Sequence, residues 1–201
     1  MASELNYIYM IARTHDLAAI TCLGIIVLLL PTWTVTLSTA MAAVLANLIG
    51  GITPDIDQPT APFWRNLPIG GVAGRVMGRL LGGHRFITHS ILGLFLFGFL
   101  AHWLLIFLRP ILGTINIDVV WAAFMIGMFS HLVLDSFTKE GVPWLLPVPI
   151  KFGFPPLRRL RITTGKAVES LLIFPGLIII NIAFYAHYYQ RVLDILRHRL
   201  T

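Results

Sequence analysis

Histidines and aspartates are concentrated in three short motifs, each at the end of a long apolar segment. Residues 54–57 place two aspartates two positions apart, residues 84–90 have the sequence His-Arg-x-x-Thr-His-Ser, and His131 precedes Asp135 by four positions. Ionisable groups at mid-bilayer cost about 2.5–3.5 kcal/mol each, so they need a partner or a function. Imidazole with carboxylate is a ligand set that zinc, manganese and iron favour. The motifs therefore indicate a metal site carried by a membrane protein.

Each of the two motifs that contain aspartate could bind a metal, and each has an alternative explanation. His131 and Asp135 share one face of a helix, with Cβ atoms about 5–6 Å apart, so they could hold one ion or two adjacent ions. The alternative is a neutral histidine hydrogen-bonded to the aspartate for packing between helices. Asp55 and Asp57 could bridge or chelate a cation. Their alternative is a helix-terminating turn with solvated carboxylates.

The histidine-rich motif offers ligands and supporting groups. His84 and His89 are candidate ligands. Arg85 could hold an anionic substrate group through two hydrogen bonds, or could meet lipid headgroups. Thr88 could cap the helix that follows, with Ser90 in its first turn.

Two further ionisable residues flank apolar segments. His15 could be a ligand or a residue of a helix cap. Glu169 follows a Thr-Thr-Gly-Lys stretch and opens the last apolar segment. It could be a ligand or a general base, or it could simply place favourable charge at a helix N-terminus.

The composition sets the class of protein that must position these residues. Of 201 residues, 57% are hydrophobic and 12% are charged, and the mean hydropathy is +0.81. These values are typical of membrane proteins. Without a polar linker, residues 1–201 are expected to form a single domain. The single cysteine, Cys22, excludes a disulfide framework. The net charge of +6 comes from basic residues in loops and the tail, so direct nucleic-acid binding is not expected.

The apolar segments predict an all-α, polytopic helical membrane bundle of four or five transmembrane helices with interfacial loops. Four segments are long enough to span a bilayer, namely residues 34–52, 90–108, 119–137 and 168–188. Residues 17–30 are short for a span and could be tilted or re-entrant. All the candidate site residues then fall on one side of the membrane. Eleven of the fifteen Lys and Arg residues lie on that same side when five spans are counted, which predicts that it is cytoplasmic.

Two loops have a character of their own. Val72, Val76 and Leu80 recur at helical spacing opposite arginines 75 and 79, which predicts a short helix lying at the membrane interface. Residues 143–156 contain five prolines with aromatic residues. They predict an irregular interfacial or re-entrant segment over the site.

In their order along the chain, these motifs resemble the YdjM-type family of bacterial inner-membrane proteins, predicted to be metal-dependent hydrolases. The succession is Pro-Asp-x-Asp, His-Arg-x-x-Thr-His-Ser, His-x-x-x-Asp-x-x-Thr and Thr-Gly-x-x-x-Glu, and it covers most of the chain. The helical His-x-x-x-Asp and the late glutamate are also remotely similar to zinc-dependent phospholipase C. The resemblance implies a multi-pass protein of the bacterial inner membrane that hydrolyses a phosphoester. The resemblance also implies that Thr138 belongs to the site, together with the candidate residues named above.

The expected function is a membrane-bound metal-dependent hydrolase that acts on a lipid or amphipathic phosphoester at the cytoplasmic face. The expected cofactor is a divalent metal, zinc first and manganese as the alternative; the expected partners are this metal and membrane lipid, with no protein partner identified. The alternatives are a non-catalytic scaffold with a structural metal and, third, a metal or proton transporter. The expected metal ligands are His15, Asp55, His84, His89, His131 and Asp135. The expected catalytic residues are Asp57, Arg85 and Glu169, supported by Thr88, Ser90 and Thr138.

Overall fold

The computed structural model describes residues 2–30, 35–148, 150–163 and 168–198. Eight α-helices are found in this part of the chain: α1 (Ala2–Leu29), α2 (Leu37–Ile52), α3 (Pro62–Arg65), α4 (Gly70–Leu80), α5 (Ile91–Leu112), α6 (Ile117–Ser136), α7 (Phe174–His187) and α8 (Tyr189–His198). Within these described ranges, four helical stretches are long and apolar enough to cross a membrane, namely Leu37–Asp57, Ile91–Leu112, Ile117–Ser136 and Glu169–His187. The prediction of an all-α membrane bundle is confirmed.

The first helix is longer than its apolar segment. Residues 17–30 were expected to be one short element, but α1 is continuous over 28 residues. The apolar run begins only after Asp16, although the backbone is helical well before it. The apolar half of α1 lies against α2, α6 and α7. This length carries His15 on a regular helix rather than at a helix cap.

Helices α2 and α6 form the closest pair in the bundle. A Cβ atom on Gly50 would lie 2.0 Å from the carbonyl oxygen of Phe124, and one on Gly127 would lie 2.0 Å from that of Asn47. The buried Asn47 amide donates to the carbonyl oxygen of Ala123 at 3.0 Å. The two glycines therefore let the backbones touch, and this contact fixes the end of α2 against the end of α6 that carries His131.

Helix α5 differs from its prediction at both ends. Its N-cap is Ser90, whose Oγ accepts from the Gly93 amide at 3.0 Å, so the expected cap by Thr88 is wrong. The apolar segment was predicted to end at residue 108, before Arg109 and Pro110, but the helix continues to Leu112 and ends at Gly113, where φ is 58°. Proline removes one amide donor, and so close to the C-terminus it costs little of the helix.

The last span has an irregular start. Residues Glu169–Ile173 form a π-helical turn, in which the Phe174 amide donates to the carbonyl oxygen of Glu169. The next residue is Pro175, which has no amide hydrogen to donate. The wide turn and the proline together set the start of α7. The Thr-Gly pair of the late motif, residues 164 and 165, lies outside the described residues.

The two loops follow their predictions in part. Helix α4 exists as predicted, with exposed Val72, Val76 and Leu80. Its glycines 70, 74 and 78 are buried and pack against Trp64 and the turn after α2. In residues 143–156, of which Pro149 is outside the described part, the chain forms turns rather than a helix. Trp144 anchors this loop, since its Nε1 donates to Ser136 Oγ at 2.9 Å and its carbonyl accepts from Ile91.

Candidate metal centre

Four elements bring the histidines and aspartates together at one end of the bundle. Helix α1 carries His15, and α6 carries His131 and Asp135 in its last two turns. The chain leaves α2 through a 3-10 turn, Thr53–Asp57, which carries both aspartates of the first motif. A second 3-10 turn, Ile87–His89, enters α5.

His131 is held in one orientation by the end of α2. Its Nδ1 donates to the carbonyl oxygen of Gly51 at 2.6 Å. Its Nε2 is buried without a hydrogen-bond partner, 3.7 Å from Asp55 Oδ1 and 3.8 Å from Asp135 Oδ2. A backbone carbonyl on the far nitrogen is the usual way in which a metal-binding histidine is oriented. Sequence reasoning missed Gly51, because its contribution is a carbonyl oxygen; the paired glycines in the last turn of α2 were the signal for it.

His89 is oriented by a relay of hydrogen bonds that ends on Asp57. The hydroxyl of Thr88 donates to Asp57 Oδ2, so the Thr88 oxygen accepts from His89 Nδ1 at 2.9 Å. His89 Nε2 then faces Asp135 Oδ2 at 3.4 Å and Asp55 Oδ1 at 3.9 Å. Burial opposes protonation of His89, but Asp135 and Asp57 outweigh it and raise its pKa to about 9. A cation that binds here therefore competes with a proton.

Asp135 presents both carboxylate oxygens to the cluster. The side chain is 1% exposed, and neither oxygen has a hydrogen-bond partner. Oδ1 lies 3.6 Å from His15 Nε2, whereas Oδ2 lies 3.4 Å from His89 Nε2. The rings of His15 and His131 are stacked, with centroids 3.9 Å apart and planes at 17°. Three imidazoles thus face the carboxylate of Asp135, His15 at Oδ1 and both His89 and His131 at Oδ2.

These residues fit a divalent cation. Two groups of three have ligand atoms within 4.8 Å of one another, His15 with His131 and Asp135, and Asp55 with His89 and His131. An ion with tetrahedral ligands at 2.0–2.1 Å separates those ligands by about 3.3 Å. The contacts of 3.4–3.9 Å are close to that spacing. Buried polar atoms without partners cost about 1–3 kcal/mol each, and a cation would satisfy those of His89, His131 and Asp135 together.

Asp57 has an environment unlike that of Asp55. Its Oδ1 lies 2.9 Å from His84 Nδ1, and its Oδ2 accepts from the Arg85 amide at 3.0 Å and from Thr88. The Asp57 side chain is completely buried, whereas that of Asp55 is 29% exposed. Asp57 therefore organises the 84–89 loop. His84, expected to be a ligand, is held by Asp57 at the edge of the cluster and belongs to neither group of three.

Arg85 is buried and engaged within the protein. Its Nη1 donates to Thr138 Oγ1 at 2.8 Å, and its Nη2 lies 2.8 Å from Asp135 Oδ2, in a direction outside hydrogen-bonding geometry. Its φ of 58° lies in the left-handed region, which costs a non-glycine residue about 1–3 kcal/mol. This geometry favours a role in holding Asp135 rather than a substrate anion.

The remaining predicted residues support the site from outside. Glu169 is buried beside a cavity of about 20 Å³ that His15 and Thr138 also line, which is room for about one water molecule. Thr138 donates to the carbonyl oxygen of Asp135 at 2.8 Å, and Ser90 donates to that of Ile87 at 2.7 Å. Ser90 and Thr138 thus hold backbone, whereas Glu169 shares the lining of this small cavity with His15.

Comparison with known proteins places the chain in a family. The family model described as YdjM inner membrane protein matches residues 10–192, and the chain belongs to this family. The chain is also 30% identical over 128 residues to the protein named "Uncharacterized protein YvsG" of Bacillus subtilis (strain 168), which covers 64% of this chain and 69% of that protein. No solved structure matches. The family and the four apolar helices identify a multi-pass protein of the inner membrane. The similarity to phospholipase C stays a prediction.

Proposed function

We propose that this YdjM family protein is a membrane-bound metal-dependent hydrolase whose single domain, residues 1–201, acts on a phosphoester. The substrate is a lipid or another amphipathic molecule, and the site faces the cytoplasm. The proposal rests on the buried ligand atoms of His89, His131 and Asp135, which have no hydrogen-bond partner although the two histidine Nε2 atoms lie 3.4 and 3.8 Å from Asp135 Oδ2. A polar cluster kept only for helix packing would be expected to pair these atoms with one another.

The ligand arrangement supports catalysis over a purely structural metal. The two groups share His131 and together supply five side chains, so two ions held by them would each have fewer than the four protein ligands of a structural zinc site. Asp55 is partly exposed, so one side of the site meets solvent. Nitrogen and carboxylate ligands suit zinc first and manganese second. His15, Asp55, His89, His131 and Asp135 would hold one or two ions.

Bound metal would supply an activated water and polarise the phosphoryl oxygen. Two of the remaining residues would have positioning roles. Asp57 holds the loop that carries His89, and Arg85 holds Asp135. Glu169 is the proposed proton acceptor, since the small cavity beside it connects it to His15. His84 stands where the cluster opens to solvent, with its side chain 34% exposed.

The transporter alternative is less well supported by the spans. The polar side chains midway along them make local contacts: Asn181 donates to Thr21 Oγ1 at 2.6 Å, and the ring of His102 lies 5.8 Å from that of Trp121. These contacts hold neighbouring helices together and do not extend the polar cluster across the bundle.

The test compares two aspartates on the same helix. Asp135→Asn removes a central ligand, and Asp118→Asn makes the same change on an exposed residue at the opposite end of α6. Purified wild type and Asp118→Asn should contain metal by elemental analysis and should hydrolyse lipid or soluble phosphoesters with zinc or manganese. Asp135→Asn should lose both properties while it inserts and purifies normally.

Wild-type protein that contains metal but hydrolyses nothing above Asp135→Asn would favour the scaffold with a structural metal. Wild-type protein that contains no metal would contradict the metal site itself.

A further inference from the structure

A second cavity lies beside the metal cluster, between α4 and the turn after α2. We call it the basic cavity; its volume is about 560 Å³, and it opens widely to solvent. The side chains that give it positive charge are Arg75 and Arg79, and the imidazole of His84 also lines it. The rest of its lining is Asp57, Gln58, Pro59, Gly78, Gly82 and Gly83.

The basic cavity has a net positive lining. Arg75 and Arg79 are exposed and one helical turn apart, so both guanidinium groups can reach the same opening. Among the lining residues that the structure describes, Asp57 is the single carboxylate, and its two oxygens are engaged by His84, Arg85 and Thr88. Arginine pairs bind phosphate oxygens through charge-assisted hydrogen bonds. The lining therefore suits a phosphate group.

The backbone amides of Gly82 and Gly83 at the cavity are already hydrogen-bonded, so side chains would have to bind the phosphate. Gly82 and Gly83 have φ values of 82° and 94°, and these allow the chain to turn sharply from α4 toward His84. The Gly83 amide donates to the carbonyl oxygen of Gly78 at 2.7 Å, and the Gly82 amide to that of Arg79 at 3.3 Å. Both amides close the end of α4, so an anion would be bound by the arginines and the imidazole.

The position of α4 sets the depth of the cavity relative to the membrane. Ile69, Val72, Val76 and Leu80 are 50–74% exposed, and they form an apolar face next to the arginines. A helix with one apolar and one basic face lies in the membrane interface with its apolar face in the acyl region. The cavity under α4 then opens at the level of lipid headgroups.

His84 connects the basic cavity to the metal cluster. Its Nδ1 lies 2.9 Å from Asp57, and its ring centroid is 5.5 Å from that of His89. A phosphate group that is bound in the cavity against His84 is therefore separated from the proposed metal ligand His89 by the side chain of His84. Arg85, the expected anion clamp, is directed away from this opening toward Asp135 and Thr138.

We propose that Arg75, Arg79 and His84 form the binding site for the phosphate group of a phosphomonoester lipid that reaches the metal cluster from the membrane interface. This inference rests on the proposed function for its catalytic consequence. Binding itself can be tested without metal or turnover.

The experiment is calorimetric titration of the detergent-purified full chain in chelator at fixed ionic strength. The probes are dihexanoyl phosphatidate, dihexanoyl phosphatidylcholine and inorganic phosphate. The test variant is Arg75→Gln with Arg79→Gln. The matched control, Arg109→Gln with Arg191→Gln, removes the same charge from the far end of the bundle, and Arg75→Lys with Arg79→Lys keeps the charge.

Wild type and the control should bind phosphatidate, and the glutamine pair should bind it roughly tenfold or more weakly, since two charge-assisted hydrogen bonds are lost. The lysine pair should retain most of the binding. Equal binding by wild type and the glutamine pair would overturn the proposal. Inorganic phosphate or phosphatidylcholine binding as tightly as phosphatidate would overturn the assignment to a lipid phosphomonoester.

The binding experiment also distinguishes a failure of the proposed hydrolase function from a failure of the phosphate site. Asp135 does not line the basic cavity, so Asp135→Asn should bind phosphatidate as wild type does. Phosphatidate binding that depends on the arginines, in a protein without metal or turnover, would support the basic cavity and contradict the hydrolase.

Discussion

The imidazole of His131 donates from Nδ1 to the carbonyl oxygen of Gly51 at 2.6 Å, and this bond couples the metal cluster to the packing of α2 against α6. It fixes the tautomer, so that Nε2 carries the lone pair that faces Asp55 and Asp135. The carbonyl is in place only because the two helices touch at Gly50 and Gly127. Spacing between the helices therefore determines ligand geometry.

Widening that contact should damage both stability and metal binding. In Gly127→Ala the new Cβ would lie 2.0 Å from the carbonyl oxygen of Asn47, so the backbones must separate. Overpacking of this kind costs about 1–3 kcal/mol. We expect a lower thermal midpoint and weaker metal binding, measured by thermal unfolding in detergent and by metal titration.

Gly176→Ala is the matched control, because a Cβ there meets nothing within 4 Å. It should keep the wild-type midpoint and metal affinity. If Gly127→Ala also behaves as wild type, the helix contact does not determine the site geometry.

Arg85 should matter most when the metal is absent. It compensates the buried charge of Asp135, at 2.8 Å, and loss of one partner of a buried ion pair costs about 3–5 kcal/mol. A bound cation would compensate the same carboxylate. Arg85→Ala should therefore lower the thermal midpoint strongly in chelator and much less with saturating zinc.

An exposed arginine provides the comparison for Arg85. Arg109→Ala, at the far end of α5, should show no metal-dependent difference in midpoint. An equal loss of stability for Arg85→Ala with and without metal would argue that Asp135 is not a ligand.

Substitutions of the two aspartates of the first motif should have different effects on metal binding and on stability. Asp55 is partly exposed, with His89 and His131 at 3.9 and 3.7 Å, so Asp55→Asn should weaken metal binding while the metal-free protein keeps its stability. Asp57→Asn removes the charge that holds His84, the Arg85 amide and Thr88, and should destabilise the metal-free protein by about 1–3 kcal/mol. Thermal unfolding in chelator and metal titration measure the two effects separately, and the reverse pattern would exchange the roles of the aspartates.

The sequence predicts that the polar residues at the ends of the apolar helices lie close together, and in the structure those residues do converge. It does not distinguish Asp55 from Asp57, since the two differ only in the direction that each side chain takes from the 3-10 turn. The role of Arg85 depends on its left-handed backbone conformation, and the presence of an arginine in the sequence does not predict that conformation. The early start of α1 is hidden as well, because polar residues such as Glu4, Arg13 and Asp16 interrupt the run of apolar residues that marks a span.

The final prediction concerns the face of the membrane on which the cluster lies. Most of the basic residues flank the cluster, and positively charged loops remain in the cytoplasm. Gln58 lies in the loop after α2, Lys151 lies in the loop after α6, and Thr114 lies between α5 and α6 at the opposite end of the bundle. Single cysteines at these positions, on a Cys22→Ser background, can be tested with a membrane-impermeant thiol reagent on spheroplasts. The cysteine at 114 should react at once, whereas those at 58 and 151 should react only after permeabilisation. Labelling of 58 and 151 from outside, with 114 protected, would invert the orientation and place the cluster on the outer face.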